Sequence, residues 1–327
     1  AGGTIYGCSR LVRFDHAADG PRRYRLVIRN ADTGASHVVH ADRIILAMPR
    51  RSLELLDQDN FFFGDPTVVH NVRSVIGEPS FKLLMGFYEE GQTEPWWTRR
   101  LGLTSGRSIT DLPMRQCYYF GTDPETHHSL MLASYNDMST VDFWKPLEVP
   151  DRGRKGLHDL VAEAADEERY RPTPTPAASV EALLSTEYPR APWRLVDHSL
   201  VQLEAVHGIV IPKPYTTAFT NWNDDPYGGG YHAWKARYPI GETMAYMRQP
   251  LPGESVHVCG EAYSDQQGWI EGAFCVAELM LQRHFGLQWP REWLSESYYL
   301  GRDPEPPHAP LAAAAVARAP RPTAEAS

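Results

Sequence analysis

The sequence predicts an α/β fold of the mixed α+β kind, in which groups of short strands are joined by helices. Residues 43–48 form an apolar run that stops at a proline, as a buried strand does before a turn. Residues 256–281 read as a short apolar strand, a Gly-Glu turn, a polar loop and then a helix that is expected to begin at Gly268. Residues 153–169 place leucine, valine and alanine at helical spacing, which predicts an amphipathic helix.

The N-terminal part is expected to form paired strands that lead into a turn and a helix. Strands are predicted at Thr4–Phe14, Tyr24–Asn30 and Ser36–Ala47, the last with a break near Asp42. The apolar end of the third strand runs into the proline, and a helix is expected to begin after it, over Arg50–Leu56.

Alternation in the central part predicts further strands at Phe81–Tyr88, Met114–Gly121, Ser129–Asn136 and Tyr215–Trp222. Ser179–Leu184 is expected to be a short helix, and Trp193–Leu203 is expected to continue in an extended conformation. From about Pro304 onward, the Pro/Ala-rich composition predicts a disordered tail, with a short alanine helix as the alternative.

Composition narrows the class of protein. A chain of 327 residues with 42% hydrophobic content can form one large domain or two interleaved domains. The net charge of −9 argues against nucleic acid as a partner, because phosphate binding favours a basic face. No run of about 18 apolar residues occurs, so no membrane span is expected. Nor is a metal site expected, since no CxxC spacing joins the four cysteines, Cys8, Cys117, Cys259 and Cys275.

The most informative stretch is the strand–turn–helix of residues 256–281. A helix start carries unpaired N–H groups and about half a positive charge, so it can hold an electron-rich edge of a ligand. Glu261 stands just upstream as an acceptor for ligand hydroxyls. The combination suits a cofactor with a polyol chain and an electron-accepting ring. The alternative is a turn that serves packing alone, as in many α/β proteins.

Gly-Glu at 260–261, followed by Gly-Trp-Ile-Glu-Gly-Ala at 268–273, resembles the C-terminal flavin-contacting segment of the flavin-dependent amine oxidase superfamily, which includes monoamine, polyamine and L-amino-acid oxidases. The resemblance implies an FAD whose ribityl chain bonds to Glu261. It also implies that the backbone at Trp269 and Ile270 meets the pyrimidine end of the flavin, while the Trp269 ring bounds the substrate site. The residues so assigned to the cofactor are Gly260, Glu261, Gly268, Trp269, Ile270 and Ala273.

The same resemblance implies part of an FAD-binding domain plus a substrate domain with a mixed sheet and flanking helices. Residues 1–56 and 251–300 would form the FAD-binding part, residues 57–250 the substrate domain, and residues 301–327 the tail. The superfamily's N-terminal Gly-x-Gly-x-x-Gly does not occur in this sequence, nor does its N-terminal substrate-binding arginine. We therefore expect the C-terminal part of an enzyme, as a processed subunit, a fragment or a separately encoded half. Alone, it should bind FAD poorly and lack oxidase activity.

Lys82 lies in the middle of an apolar strand, where burial of a lone charge is costly. An edge-strand lysine that points to solvent is one interpretation. The segment from Lys82 to Trp96-Trp97 resembles the amine-oxidase pattern in which a lysine holds a water against flavin N5. That resemblance implies a cation that assists electron transfer to O₂.

The run from Gly106 to Tyr119 contains Ile-Thr-Asp-Leu-Pro and closely resembles a segment of L-amino-acid oxidases. Alone, it would predict only a charged surface loop followed by a strand. With the resemblance, Arg107 and Arg115 become candidates for attracting or binding an anionic substrate. The same run favours an amino acid over an amine as the substrate.

Residues 221–231 are the third segment that resembles the amine oxidase superfamily. Without the resemblance, they would be interpreted as a flexible glycine loop. The resemblance implies that Trp222 packs beside the flavin. Tyr231 would face Trp269 across the substrate, with Gly268 beside it. Gly230 stands where monoamine oxidases carry a flavin-bonded cysteine, which predicts noncovalent FAD. Four histidines could act as bases, namely His127, His128, His207 and His232. None of them has a carboxylate or a thiol at catalytic spacing in the sequence.

The resulting hypothesis is FAD-dependent oxidative deamination of an L-amino acid to a 2-oxo acid, ammonia and H₂O₂. Lys82, Tyr231 and Trp269 would take part at the reacting centre, and Tyr231, Gly268, Trp269 and Arg107 would contact the substrate. The alternatives are a noncatalytic subunit or degenerate fragment and, within the same chemistry, an amine or polyamine oxidase or an amino-acid monooxygenase. The expected partners are the amino acid, O₂ and an N-terminal half, with a homodimer possible in principle. The sequence indicates neither the amino acid nor the compartment.

Overall fold

The computed structural model describes residues 3–89, 91–149, 191–223 and 229–288. The helix expected at 153–169, the one expected at Ser179–Leu184 and the expected tail lie outside these ranges.

Twelve strands occur in the described part of the chain: β1 Ser9–His16, β2 Tyr24–Asn30, β3 Ser36–Ala41, β4 Ile44–Ala47, β5 Val75–Glu78, β6 Ser80–Tyr88, β7 Gly106–Ile109, β8 Gln116–Thr122, β9 His128–Asp137, β10 Thr216–Asn221, β11 Tyr231–Trp234 and β12 Val256–Cys259. The described α-helices are α1 Arg50–Glu54, α2 Pro66–Val72, α3 Trp96–Leu101, α4 Trp193–His207, α5 Ile240–Met247 and α6 Ile270–Phe285. The described 3₁₀ turns are Phe61–Gly64, Met138–Phe143, Lys145–Leu147 and Glu261–Tyr263. This mixture confirms the predicted α/β class.

The largest described sheet has five antiparallel strands in the order β10-β6-β9-β8-β7. Strand β6 is therefore interior, with β10 on one side and β9 on the other. Its alternate residues face a buried core, and these are Phe81, Leu83, Met85 and Phe87. Its remaining side chains, including Lys82, lie on the opposite face, since successive residues of a strand point to opposite faces.

The extended conformation expected for Trp193–Leu203 is wrong, because this stretch is part of helix α4. Its buried apolar residues recur at helical spacing and pack into the core of the five-stranded sheet, namely Leu195, Val196, Leu200 and Leu203. Pro192 precedes the first turn, and Gly208 ends the helix in the left-handed conformation with a φ of 68°. Those two residues are the helix signals in the sequence.

A second core joins early and late parts of the chain. Strands β4 and β12 pair in parallel, with Ile44 beside Val256 and Ala47 beside Cys259. The antiparallel sheet β1-β2-β3 supplies the buried Phe14 to the same core. Because β4 and β12 run in the same direction, the turns that follow them lie at one edge of the pair.

Most expected strands are present with shifted ends. The stretch expected at Ser36–Ala47 is interrupted, as predicted near Asp42, and forms β3 and β4. Helix α6 begins at Ile270, not at the expected Gly268, because Gly268 has a left-handed φ of 83°. The predicted domain bounds at residues 56 and 250 stay predictions.

The chain divides into two compact units, residues 1–277 and residues 278–327. The described part of the second unit, residues 278–288, carries the end of α6, where the Gln282 amide donates to Glu278 at 3.0 Å. Among the helices that the structure describes, none is both long enough and apolar enough to cross a membrane.

Candidate functional site

Glu261 follows β12 and links two other elements through its carboxylate. Gly260 forms the turn with a φ of 129°, a conformation that favours glycine. Oε1 of Glu261 accepts the backbone N–H of His232 at 2.9 Å and that of Gly268 at 2.6 Å. Oε2 lies 2.8 Å from Nδ1 of His232. One side chain thus fixes the start of β11 and the approach to helix α6.

The carboxylate of Glu261 is stabilised in its charged form. Burial raises its pKa, but the bonds from the His232 ring and from the Gly268 and His232 N–H groups lower it, and the net shift is downward. An ionised carboxylate offers about four lone-pair positions. Three bonds occupy most of them, so one position remains for a ligand hydroxyl. The predicted contact with a ribityl chain is compatible with this arrangement and stays a prediction.

The helix start after Glu261 borders an open cleft of about 500 Å³. Trp269 lines the cleft, and its side chain is 69% exposed. The polar residues that line the cleft are Asp265, Gln266, Gln267 and Glu271. Helix α6 has 16 residues, and its first turn has N–H groups without partners inside the helix. The residues present therefore fit a planar ligand with hydrogen-bond acceptors at its edge.

Gly268 and Gly272, on either side of the start of helix α6, have separate roles. A Cβ on Gly272 would overlap Ser264 and lie 2.5 Å from the Gln266 carbonyl oxygen, so the helix packs closely on the loop there. A Cβ on Gly268 would lie 3.6 Å from the ring of Tyr231, which places that ring beside the Gly268 backbone. Ala273 is half-buried in the first turn of α6.

Tyr231 begins β11, and the structure brings it to the same neighbourhood as Trp269. Burial raises the pKa of its phenol, and the carboxylates of Asp137 and Glu78 raise it further. The phenol is therefore a neutral donor near pH 7. Its place across a substrate from Trp269 stays a prediction.

Lys82 lies between two aromatic rings on the outward face of the five-stranded sheet. Its ammonium is 4.8 Å from the ring centroid of Tyr135 and 5.3 Å from that of Trp222. These distances are those of cation–π contacts. The edge-strand interpretation is wrong, because β6 is interior to the sheet. Lys82 and Trp222, two predicted site residues, are thus neighbours.

The two arginines proposed from the sequence differ in their surroundings. Arg107 is exposed on β7 and pairs directly opposite Tyr118, so the two side chains share a face of the sheet. Arg115 has a left-handed φ of 56°, and its guanidinium lies 2.9 Å from the Asp137 carboxylate. Asp137 therefore offsets the charge of Arg115.

The sequence did not reveal Tyr135 as a site residue, nor the pairing of His232 with Glu261. His232 has no carboxylate nearby in the sequence, but the fold supplies Glu261, 29 positions away. Tyr135 pairs with Lys82 across β6 and β9, and only the strand register shows this. The other histidines are placed elsewhere, and His207 bonds to the Tyr119 hydroxyl at 2.9 Å. No cluster of metal-binding side chains occurs among the described residues.

No family model matches the chain. It is 26% identical over 251 residues to Aplysianin-A from Aplysia kurodai, which covers 76% of this chain and 40% of that protein. It is 23% identical to L-amino-acid oxidase 4 from Hebeloma cylindrosporum over 70% of this chain and 32% of that protein. It is also 23% identical to putative L-amino-acid oxidase YobN from Bacillus subtilis (strain 168), over 53% of this chain and 27% of that protein.

The chain spans less than half of the length of the curated relatives it matches. Two of these relatives, the proteins from Hebeloma cylindrosporum and Bacillus subtilis (strain 168), carry the name L-amino-acid oxidase, the second as a putative one.

Proposed function

We propose that this chain is part of an FAD-dependent oxidase that deaminates an L-amino acid. The observation that carries the proposal is the Glu261 carboxylate, which is bonded to His232 and Gly268 beside the exposed indole of Trp269. The similarity to proteins named L-amino-acid oxidase supports the same chemistry.

Residues of the second core and of helix α6 would hold the cofactor. Glu261 has one acceptor position left for a ribityl hydroxyl. The backbone at Trp269 and Ile270 would meet the pyrimidine end of the flavin, and Trp222 would pack beside it. Gly230 supports noncovalent binding, since a Cβ there would overlap the Cβ of Ser80. No thiol can therefore be placed at that position without a backbone shift.

When bound, FAD would supply the two-electron acceptor for the substrate. Overall, the amino acid, O₂ and water would give a 2-oxo acid, ammonia and H₂O₂. The Trp269 indole and the Tyr231 ring would bound the substrate and exclude water from it. Arg107 would attract the substrate carboxylate along the outward face of the sheet. The Lys82 ammonium, held between Tyr135 and Trp222, would stabilise negative charge that develops on O₂.

We also propose that an N-terminal half, in the same or a separate chain, completes the cofactor site. The test therefore uses the complete natural protein that carries this sequence. H₂O₂ release is measured with a panel of L-amino acids, with their D-enantiomers and with the corresponding decarboxylated amines. H₂O₂ and 2-oxo acid from the L-amino acids alone are expected. Turnover of only the amines, or of no compound, would contradict the proposal.

A further inference from the structure

Strand β3 is an outer strand of the sheet β1-β2-β3, and one of its edges has no partner among the described strands. Five of its six residues, Ser36 to His40, are exposed. The two valines in its middle, Val38 and Val39, are 42% and 40% exposed. An edge strand of this kind presents a row of unpaired N–H and C=O groups, on which another strand can form. The free edge of β3 is therefore an interaction surface.

The other edge of the same sheet is protected, whereas that of β3 is not. Strand β1 has an irregular register between Leu11 and Arg13 and carries arginine and aspartate side chains. Its Val12 carbonyl accepts the Asp57 N–H at 2.9 Å, so the chain also covers this edge. Bulges, charges and covering loops are the features that block a sheet edge. Strand β3 has a continuous register with β2, and it contains no proline and no Asp, Glu, Lys or Arg.

Every second residue of β3 directs its backbone N–H and C=O away from β2. At the end of the hairpin, the Asn30 N–H donates to the Ala35 carbonyl at 2.8 Å. In an antiparallel ladder, hydrogen-bonded pairs alternate with pairs that are not hydrogen-bonded. The next bonded pair is therefore Ile28 with His37, and every second residue after His37 also bonds to β2. The outward backbone groups belong to Ser36, Val38 and His40.

We propose that β3 pairs antiparallel with β3 of a second copy of this chain, around a two-fold axis at Val38. In a two-fold antiparallel pair, one residue lies opposite its own copy, and Val38 is the middle one of the three outward residues. Ser36 then lies opposite His40 of the second copy, and His40 lies opposite Ser36 of the second copy. The three pairs exchange about six N–H···O=C bonds, and the two sheets become one.

The side chains of β3 favour its own copy as the occupant. Val38 meets Val38 of the second copy, which gives an apolar contact at the axis. Each Ser36 hydroxyl lies opposite a His40 imidazole, with which it can form a hydrogen bond. No like charges oppose each other, because β3 carries no acidic side chain, lysine or arginine. A strand of unrelated sequence could form the backbone bonds but not these matched pairs. One strand buries little area, so the dimer is weak and depends on concentration.

This inference does not depend on the proposed function, and its first test is the mass of the protein in solution. Sedimentation velocity is run on the complete natural protein over a wide range of concentrations. The average mass should rise from that of one chain toward that of two. Val38→Lys places two ammonium groups at the axis and should weaken association about tenfold or more. Ile109→Lys is the matched control, since Ile109 is an exposed apolar residue on strand β7, and it should associate as the wild type does.

The exposure of Val38 means that Val38→Lys leaves the core intact, and an unchanged circular dichroism spectrum checks this. A wild-type protein that stays at the mass of one chain at every concentration overturns the proposal. Association that Val38→Lys does not weaken overturns it as well, because the copies then meet through another surface.

Cysteine cross-linking tests the register, with Val38→Cys and Val39→Cys each made in a Cys8→Ser background, because Cys8 is an exposed thiol. The two Val38 Cα atoms should lie about 5.5 Å apart, within the range of a disulfide. The two Val39 residues are diagonal neighbours at about 7 to 8 Å, which is too far.

After air oxidation, electrophoresis without reductant should show a species of two chains for Val38→Cys, and a thiol reductant should remove it. Val39→Cys and the Cys8→Ser parent should show little of this species. Equal cross-linking by the two cysteine variants, or none by Val38→Cys, overturns the proposal. The second result is the one expected if another part of the complete protein covers β3.

Discussion

Replacing Glu261 tests the link between β11 and helix α6. In Glu261→Ala the backbone N–H and the ring Nδ1 of His232 lose their acceptor. His232 is only 4% exposed, so water would replace the carboxylate poorly there. A buried donor without a partner costs about 1 to 3 kcal/mol. The Gly268 N–H also loses its acceptor, but Gly268 is exposed and its N–H can bond to water.

The alanine variant should therefore lose about 2 to 4 kcal/mol in the free energy of unfolding. Glu261→Gln keeps an acceptor oxygen and loses only the charge, so a loss of about 1 to 2 kcal/mol is expected. Urea unfolding followed by circular dichroism measures both losses. Glu242→Ala is the control, because Glu242 is exposed on α5. If Glu261→Ala unfolds at the wild-type urea concentration, the proposed link does not hold.

The charged carboxylate of Glu261 should also make the stability of the protein depend on pH. The pKa of Glu261 is lower in the folded protein than its ordinary value of 4.5. Its stabilising contribution is then fully present above that value and is lost as the pH falls through the folded pKa. The difference in unfolding free energy between wild type and Glu261→Gln should accordingly shrink below about pH 4.5. A difference that stays constant or grows on acidification would show that the charge is not stabilised as described.

Three further substitutions follow from the geometry. Lys82→Met in the complete enzyme should slow reoxidation by O₂ far more than flavin reduction, and equal effects in stopped-flow traces would count against its role. Trp269→Ala should change the unfolding free energy by less than about 0.5 kcal/mol, because the Trp269 side chain is 69% exposed. Trp97→Ala, in the core, should instead cost about 3 to 5 kcal/mol. A large loss for Trp269→Ala would place the indole in the core. Gly230→Ala should destabilise by about 1 to 3 kcal/mol in urea, since its Cβ would overlap Ser80, and a neutral result would show that β11 is free to move.

The strands and the turn at Glu261 could be predicted because their signals are local. The apolar run before Pro49 and the run from Val256 to Cys259 are short and bounded by turn residues, and they form β4 and β12. The stretch that forms the first part of helix α4 is wrongly predicted to be extended, although the signals for a helix are also local. Its buried Ser199 and Gln202 interrupt the apolar pattern, and the flanking Pro192 and Gly208 would have revealed it.

The geometry of the site depends on contacts that no local pattern contains. Lys82 meets Tyr135 through the register of β6 and β9, and His232 meets Glu261 through the packing of β11 on the turn after β12. The strand alternation of residues 80–88 could show that Lys82 faces away from the core. It could not show which rings lie beside it, because that depends on residues more than 50 positions away.

FAD retention by the complete protein tests the central claim most directly. The protein and its Glu261→Gln variant are purified under the same conditions, and the flavin absorbance per chain is measured, with Glu242→Gln as the control. We predict that the wild type and the control keep noncovalent FAD near one per chain, and that Glu261→Gln loses much of it while its circular dichroism spectrum is unchanged. A wild-type protein without flavin, or full retention by the folded Glu261→Gln variant, would contradict the account.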